Sequence, residues 1–160
     1  PVSNPMIATI TIIGNGYDTD DKDSEGIYLR EGTAAKFYNA VITNAAGECF
    51  EVEGATKNPN GQSYLTATDD LQISFASSVI ACEENFKSGD GDVDLEAWWT
   101  AKGNTIAADK AAVVNGIYTI DATTATDAKA MDSFFDTTDF IGAVKDADND
   151  WTAGWAVGLD

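Results

Sequence analysis

The first half of the chain repeats a short aliphatic triplet with no hairpin linking the copies: Thr11-Ile12-Ile13, Ala40-Val41-Ile42 and Ser78-Val79-Ile80. β-Branched runs this short do not hold a sheet alone, so they must bury their apolar side against further copies or a second layer. A second echo, Leu29-Arg-Glu-Gly32 and Val52-Glu-Gly54, is offset by 22 residues (54 − 32). Offsets of about 20 to 30 residues suit one coil of a parallel β-solenoid, with loops absorbing the excess. An antiparallel β-sandwich of about seven short strands has similar spacing, and the pattern leaves both architectures open.

Five runs read as strands: Ile7 to Ile13, Gly26 to Gly32, Lys36 to Thr43, Cys49 to Gly54 and Leu71 to Ala81. The second half changes character. Asp92 to Lys102 has an acidic start, a late lysine and Gly103 as a stop, which predicts a helix. Thr126 to Phe135 reads as a second helix, and Asn115 to Ile120 and Phe140 to Val144 as added edge strands. Trp151 and Trp155 are expected to pack over the last coil as an aromatic cap. The expected organisation is therefore coils over residues 1–90 and a capping extension over 91–160 on the same core.

Charge and composition exclude more than they assign. The 160 residues carry 27 Asp and Glu against 9 Lys and Arg, a formal charge of −18. Such a surface repels phosphate backbones and anionic membranes, so no nucleic-acid partner is expected. There is no histidine, which removes Ser-His-Asp and Cys-His nucleophiles and imidazole metal sites. No apolar run approaches a membrane span, so no membrane insertion is expected, and the start at Pro1 reads as a mature or excised piece. Cys49 and Cys82 lack C-x-x-C spacing; one disulfide in an oxidising compartment is their simplest use, and two buried thiols the alternative.

Certain segments resemble large secreted or lipid-anchored proteins of marine and other Gram-negative bacteria that carry a right-handed parallel β-helix. They are Thr11-Ile-Ile-Gly14 leading to Gly26-Ile-Tyr-Leu-Arg-Glu-Gly-Thr33, Tyr38-Asn-Ala-Val-Ile-Thr43 with Cys49, Phe134-Phe-Asp-Thr-Thr-Asp-Phe-Ile-Gly-Ala-Val144, and Asp150-Trp-Thr-Ala-Gly-Trp155. The resemblance implies a short right-handed solenoid with a C-terminal extension, and it implies further coils upstream. A first coil without a cover would leave open strand edges, which a fragment partner, a cap in Pro1 to Pro5 or self-association with another copy would satisfy.

Three acidic clusters are candidate calcium sites: Asp18, Asp20, Asp21, Asp23 and Glu25; Asp90, Asp92 and Asp94; Asp146, Asp148 and Asp150. Carboxylates at alternate positions let a compact loop turn oxygens toward a hard cation. The third opens like an EF-hand but has Trp151 at its sixth position and Val157 at its twelfth, so an EF-hand is rejected. Catalysis on a polysaccharide needs a base beside such carboxylates, and Arg30 is the one arginine, flanked by Glu31, with Lys36 nearby. Sugar platforms could come from Tyr28, Tyr38, Tyr64, Trp98 and Trp99; adjacent Trp98 and Trp99 are expected not to face inward together. The reading reached is an extracellular, calcium-supported structural or adhesive β-helix that assembles into filaments, with interface residues Trp98, Trp99, Trp151 and Trp155. The alternative is a carbohydrate-binding or polysaccharide-degrading β-helix that meets surface glycans.

Overall fold

The computed structural model of the chain describes residues 2–17, 24–54, 56–57, 64–67, 71–89 and 93–159. Nine short strands make up the first half: β1 (Met6–Ala8), β2 (Thr11–Ile13), β3 (Ile27–Leu29), β4 (Lys36–Tyr38), β5 (Val41–Thr43), β6 (Glu48–Val52), β7 (Ser74–Ala76), β8 (Val79–Ala81) and β9 (Glu84–Ser88). They join every third strand in order: β1-β4-β7 form a first sheet, β2-β5-β8 a second with β10 (Thr105–Ile106) at its far edge, and β3-β6-β9 a third. Every ladder in these three sheets is parallel. Parallel pairing between strands one coil apart overturns the sandwich alternative, whose neighbours would run antiparallel.

The registers explain why these residues stack. Ile7, Phe37 and Phe75 align in the first sheet; Ile12, Ile42, Ile80 and Ile106 in the second; Ile27, Phe50 and Phe86 in the third. All belong to or pack against one apolar core. The Phe37 and Phe75 rings lie face to face at 4.6 Å, so the column is continuous from coil to coil. Two expected alignments shift by one residue. Ile42 pairs with Ile12 rather than Ile13, and Leu29 pairs with Val52, an offset of 23 (52 − 29). A one-residue slip would send each inward side chain to the other face, so burial of the isoleucines selects the observed register.

Three of the expected long strands are each two strands meeting at a corner. Thr9, Asn39 and Ser77 sit between β1 and β2, β4 and β5, and β7 and β8, with φ of 52°, 57° and 52°. This left-handed conformation costs a non-glycine residue about 1 to 2 kcal/mol. Hydrogen bonds between coils continue through two of the corners, from Thr9 N–H to the Tyr38 carbonyl and from Asn39 N–H to that of Ala76.

One end of the apolar column is closed by α1 (Leu95–Ala101), which packs on β9 and β10. Its start is Asp94, not Asp92: the Asp94 carboxylate accepts the Ala97 N–H, a cap worth about 1 kcal/mol. The rest of the extension lies along the outer face of the second sheet. Val41, Val79 and Ala81 point outward there and are buried with Val113, Val114 and Ile141. The expected single strand near residue 117 is an antiparallel hairpin, β11 (Val114–Asn115) with β12 (Tyr118–Thr119), turning at Gly116. The expected second helix shrinks to α2 (Ala128–Met131), capped by Asp127, and Phe140 to Val144 form no strand. Thr126 explains why this irregular chain stays put: its backbone N–H and carbonyl both bond the Asn39 side chain.

Candidate functional site

The outer face of the third sheet gathers ionisable groups that lie far apart in sequence. Parallel register places Tyr28, Glu51 and Lys87 side by side on β3, β6 and β9. The Lys87 ammonium lies 3.2 Å from Glu48 Oε1 and 3.5 Å from Glu51 Oε2. Glu25, just before β3, completes a cluster in which Glu25, Glu48 and Glu51 each bring a carboxylate oxygen within 4.8 Å of the others. Glu48 is 5% exposed and Glu51 6%, unusual burial for carboxylates. Glu48 Oε2 is buried with no hydrogen-bond partner.

These surroundings set the protonation chemistry. Burial raises the Glu51 pKa, and the charges of Glu48 and Glu25 push the same way against Lys87. Burial pulls the Lys87 ammonium down, but hydrogen bonding and attraction from Glu48 and Glu51 outweigh it and leave its pKa raised. At neutral pH Lys87 is therefore a cation and not a proton acceptor. Arg30 pairs with Glu53 at 3.2 Å rather than with its neighbour Glu31, whose backbone N–H also donates to Glu53. The guanidinium lies 5.3 Å from the centre of the Tyr28 ring, where attraction to the ring face adds to its placement.

Of the candidate metal residues, Glu25 alone joins a carboxylate cluster among the described residues. Asp18, Asp20, Asp21, Asp23, Asp90 and Asp92 lie outside the described residues. Asp94 caps α1, Asp146 accepts the Asp148 and Asn149 N–H groups, and Asp150 accepts from Thr152 and the Tyr118 hydroxyl. Asp94 and Asp146 hold local turns, and Asp150 joins its own turn to Tyr118 of β12. Glu48 and Glu51 escaped the sequence reading because they are neighbours of Glu25 only across coils.

The tryptophans also differ from expectation. Trp99 is fully buried and cannot serve as a platform. Trp98 and Trp99 both reach the core: their rings lie 6.3 and 4.9 Å from Phe75, and each indole N–H finds a carbonyl, of Leu65 and Thr105. Leu95, Trp98 and Trp99 stand at positions i, i+3 and i+4, so they form one stripe of α1 that faces the column, while Glu96, Ala97, Thr100 and Ala101 are exposed. Trp151 and Trp155 are 59% and 65% exposed and rest on one another at 5.5 Å. They flank an apolar groove with Ile13, Ile117, Val144 and Leu159, so they stand beside the first coil and do not cap the last. Cys49 and Cys82 are joined in a disulfide.

The stacked parallel ladders have a counterpart among known families. A family model described as a pectate-lyase like β-helix domain matches residues 1–156. The chain belongs to this β-helix family. No curated protein and no solved structure matches it. Within a pectate-lyase-like β-helix, the three sheets are the walls of the coil and the glutamate cluster sits on the outside of one wall. No described helix is long and apolar enough to cross a membrane.

Proposed function

We propose that this β-helix is a secreted, acidic structural or adhesive segment of the cell surface, wound right-handed, whose first coil seats another coil. The observation that carries this reading is the unequal cover along the column. On the first two sheets Phe37 and Ile42 of the second coil are buried, whereas Ile7, Ile10 and Ile12 of the first are only partly buried; Ile27 and Leu29 on the third sheet are covered, and β1, β2 and β3 are outermost in their sheets. Outermost strands beside a partly covered aliphatic layer favour one more parallel rung. Growth of a filament through both ends would require α1 to leave the far end, whereas a single added coil does not. That coil comes from a second copy of the chain.

Light scattering on the 160-residue chain and on Ile12→Lys tests this. The reading expects concentration-dependent association that the lysine abolishes while the fold is kept. A monomer at all concentrations, with slow amide exchange at β1 to β3, would overturn it. A second reading, action on a polysaccharide, is favoured by the family and by the acid and base groups on the third sheet. Lys87 held as a cation and Arg30 tied to Glu53 argue against it. Turnover of a uronate polymer that Lys87→Ala abolishes would establish it instead.

A further inference from the structure

We propose that Cys82 is the sulfur through which the disulfide is made and opened, carrying the mixed disulfide with a small thiol, while Cys49 acts only from inside the core. The two sulfurs differ in access. Cys49 is fully buried and belongs to the apolar core, whereas Cys82 is half-buried and stands on the wall of an open cavity of about 340 Å³. Gly16, Ala45, Glu83, Asp109 and Lys110 share that wall. Thiol–disulfide exchange requires the incoming sulfur to reach one end of the bond, and the cavity opens on the Cys82 end.

A second observation concerns charge rather than access. The Ala45 backbone N–H donates to Cys82 Sγ at 3.4 Å, and Lys110 lines the same cavity. A donor and a cation beside a sulfur favour its thiolate, the form that attacks, whereas the apolar surroundings of Cys49 favour the thiol. Bond formation therefore runs in two steps. The Cys82 thiolate attacks one sulfur of a small disulfide, a mixed disulfide forms, and the other half leaves as a thiolate that takes a proton from water. Cys49, whose Cα lies 5.6 Å from that of Cys82, then gives up its proton, attacks Cys82 Sγ and expels the remaining half into the cavity. The small disulfide ends as two thiols, and the two cysteines are oxidised. Glu83 and Asp109 on the rim and the net charge of −18 favour a cationic reagent over an anionic one. None of this depends on whether the first coil seats another.

The test opens the bond in the folded wild-type chain, without denaturant, using cysteamine as a cationic thiol and reduced glutathione as an anionic one. The cysteamine thiolate attacks Cys82 Sγ, the bond to Cys49 breaks, and Cys49 leaves as a thiolate that takes up a proton. Early time points are quenched in acid, free thiols are capped with a maleimide at low pH, and peptide mapping by mass spectrometry locates the adduct. The expected result is an adduct on Cys82 at least about tenfold above that on Cys49. Cysteamine also outpaces glutathione once each is corrected for its rate on a small model disulfide, and added salt narrows the gap. With cystamine, the disulfide of cysteamine, Cys82 in Cys49→Ala is modified without denaturant and Cys49 in Cys82→Ala is not. Both variants lack the disulfide and lose its stabilisation alike, and if neither folds the wild-type result decides. An adduct mainly on Cys49, equal adducts on both, or exchange that begins only when denaturant unfolds the chain would overturn the proposal.

Discussion

Asn39 does three jobs at one corner of the coil. Its backbone adopts φ of 57°, its side chain grips both backbone groups of Thr126, and its carbonyl accepts the Gly142 N–H. The first favours asparagine or glycine; the second requires asparagine. Two substitutions therefore separate the contributions. Asn39→Gly keeps the corner and loses two hydrogen bonds, for about 1 to 3 kcal/mol. Asn39→Ala adds the cost of left-handed backbone, about 1 kcal/mol more. Denaturant unfolding checks the order, and equal stability of the two variants would show that the corner carries no strain. The same residue marks where the sequence was readable and where it was not. The aliphatic runs on either side of Asn39 announce strands, but nothing in Lys36 to Thr43 says that the chain turns a corner at a single left-handed residue rather than continuing straight. Thr9, at φ of 52°, is harder still, because a β-branched residue is the last one a local rule would place there.

Among the elements, α1 and the C-terminal turn use tryptophan in opposite ways. Trp99 fills the end of the column against Phe50, Phe75 and Phe86, so Trp99→Ala should cost about 3 to 5 kcal/mol. Trp155→Ala removes an exposed ring and should change stability by no more than about 0.5 kcal/mol. Comparable losses in thermal unfolding would contradict the assignment of α1 as the closing plug. The turn that carries Trp151 and Trp155 depends on Asp150, whose pKa is lowered by the Thr152 hydroxyl first and then by the Thr152 N–H. A lowered carboxylate pKa contributes stability above the unfolded value of 3.8, and that contribution is lost as pH falls through the folded value. Tryptophan emission should therefore shift below about pH 4 in the wild type, while Asp150→Asn removes the step. The helix α1 was legible from its acidic start and its glycine stop, whereas the rule that adjacent Trp98 and Trp99 must diverge failed because both fall on the one face of α1 that Leu95 opens toward the column. The carboxylate cluster was illegible for a related reason: Glu25 meets Glu48 and Glu51 through the coil period, while reading along the chain finds acids that are merely consecutive.

At the scale of the whole molecule, the disulfide and the charge act on all coils together. Cys49 lies in β6 of the second coil and Cys82 follows β8 of the third, a separation of 33 residues. Closing a loop of that length stabilises by about 3 to 4 kcal/mol in the chain-entropy model, so Cys49→Ala/Cys82→Ala should lose that amount in denaturant unfolding. Charge opposes the fold more diffusely. Even with all 9 cations paired, 18 of the 27 carboxylates would face one another without a partner. Among the described residues the ion pairs of Arg30 with Glu53, Lys145 with Asp139 and Lys87 with Glu48 and Glu51 gain from attraction, but screening these weakens few contacts and screening the excess relieves many. Added monovalent salt should therefore raise Tm, with most of the gain complete once the screening length falls to about 8 to 10 Å near physiological ionic strength. Sodium chloride and choline chloride should act alike at equal ionic strength, because screening does not depend on cation identity. A rise with sodium alone would mean a bound ion and not relief of repulsion, and a fall with both would mean that the few ion pairs outweigh the surplus of negative charge.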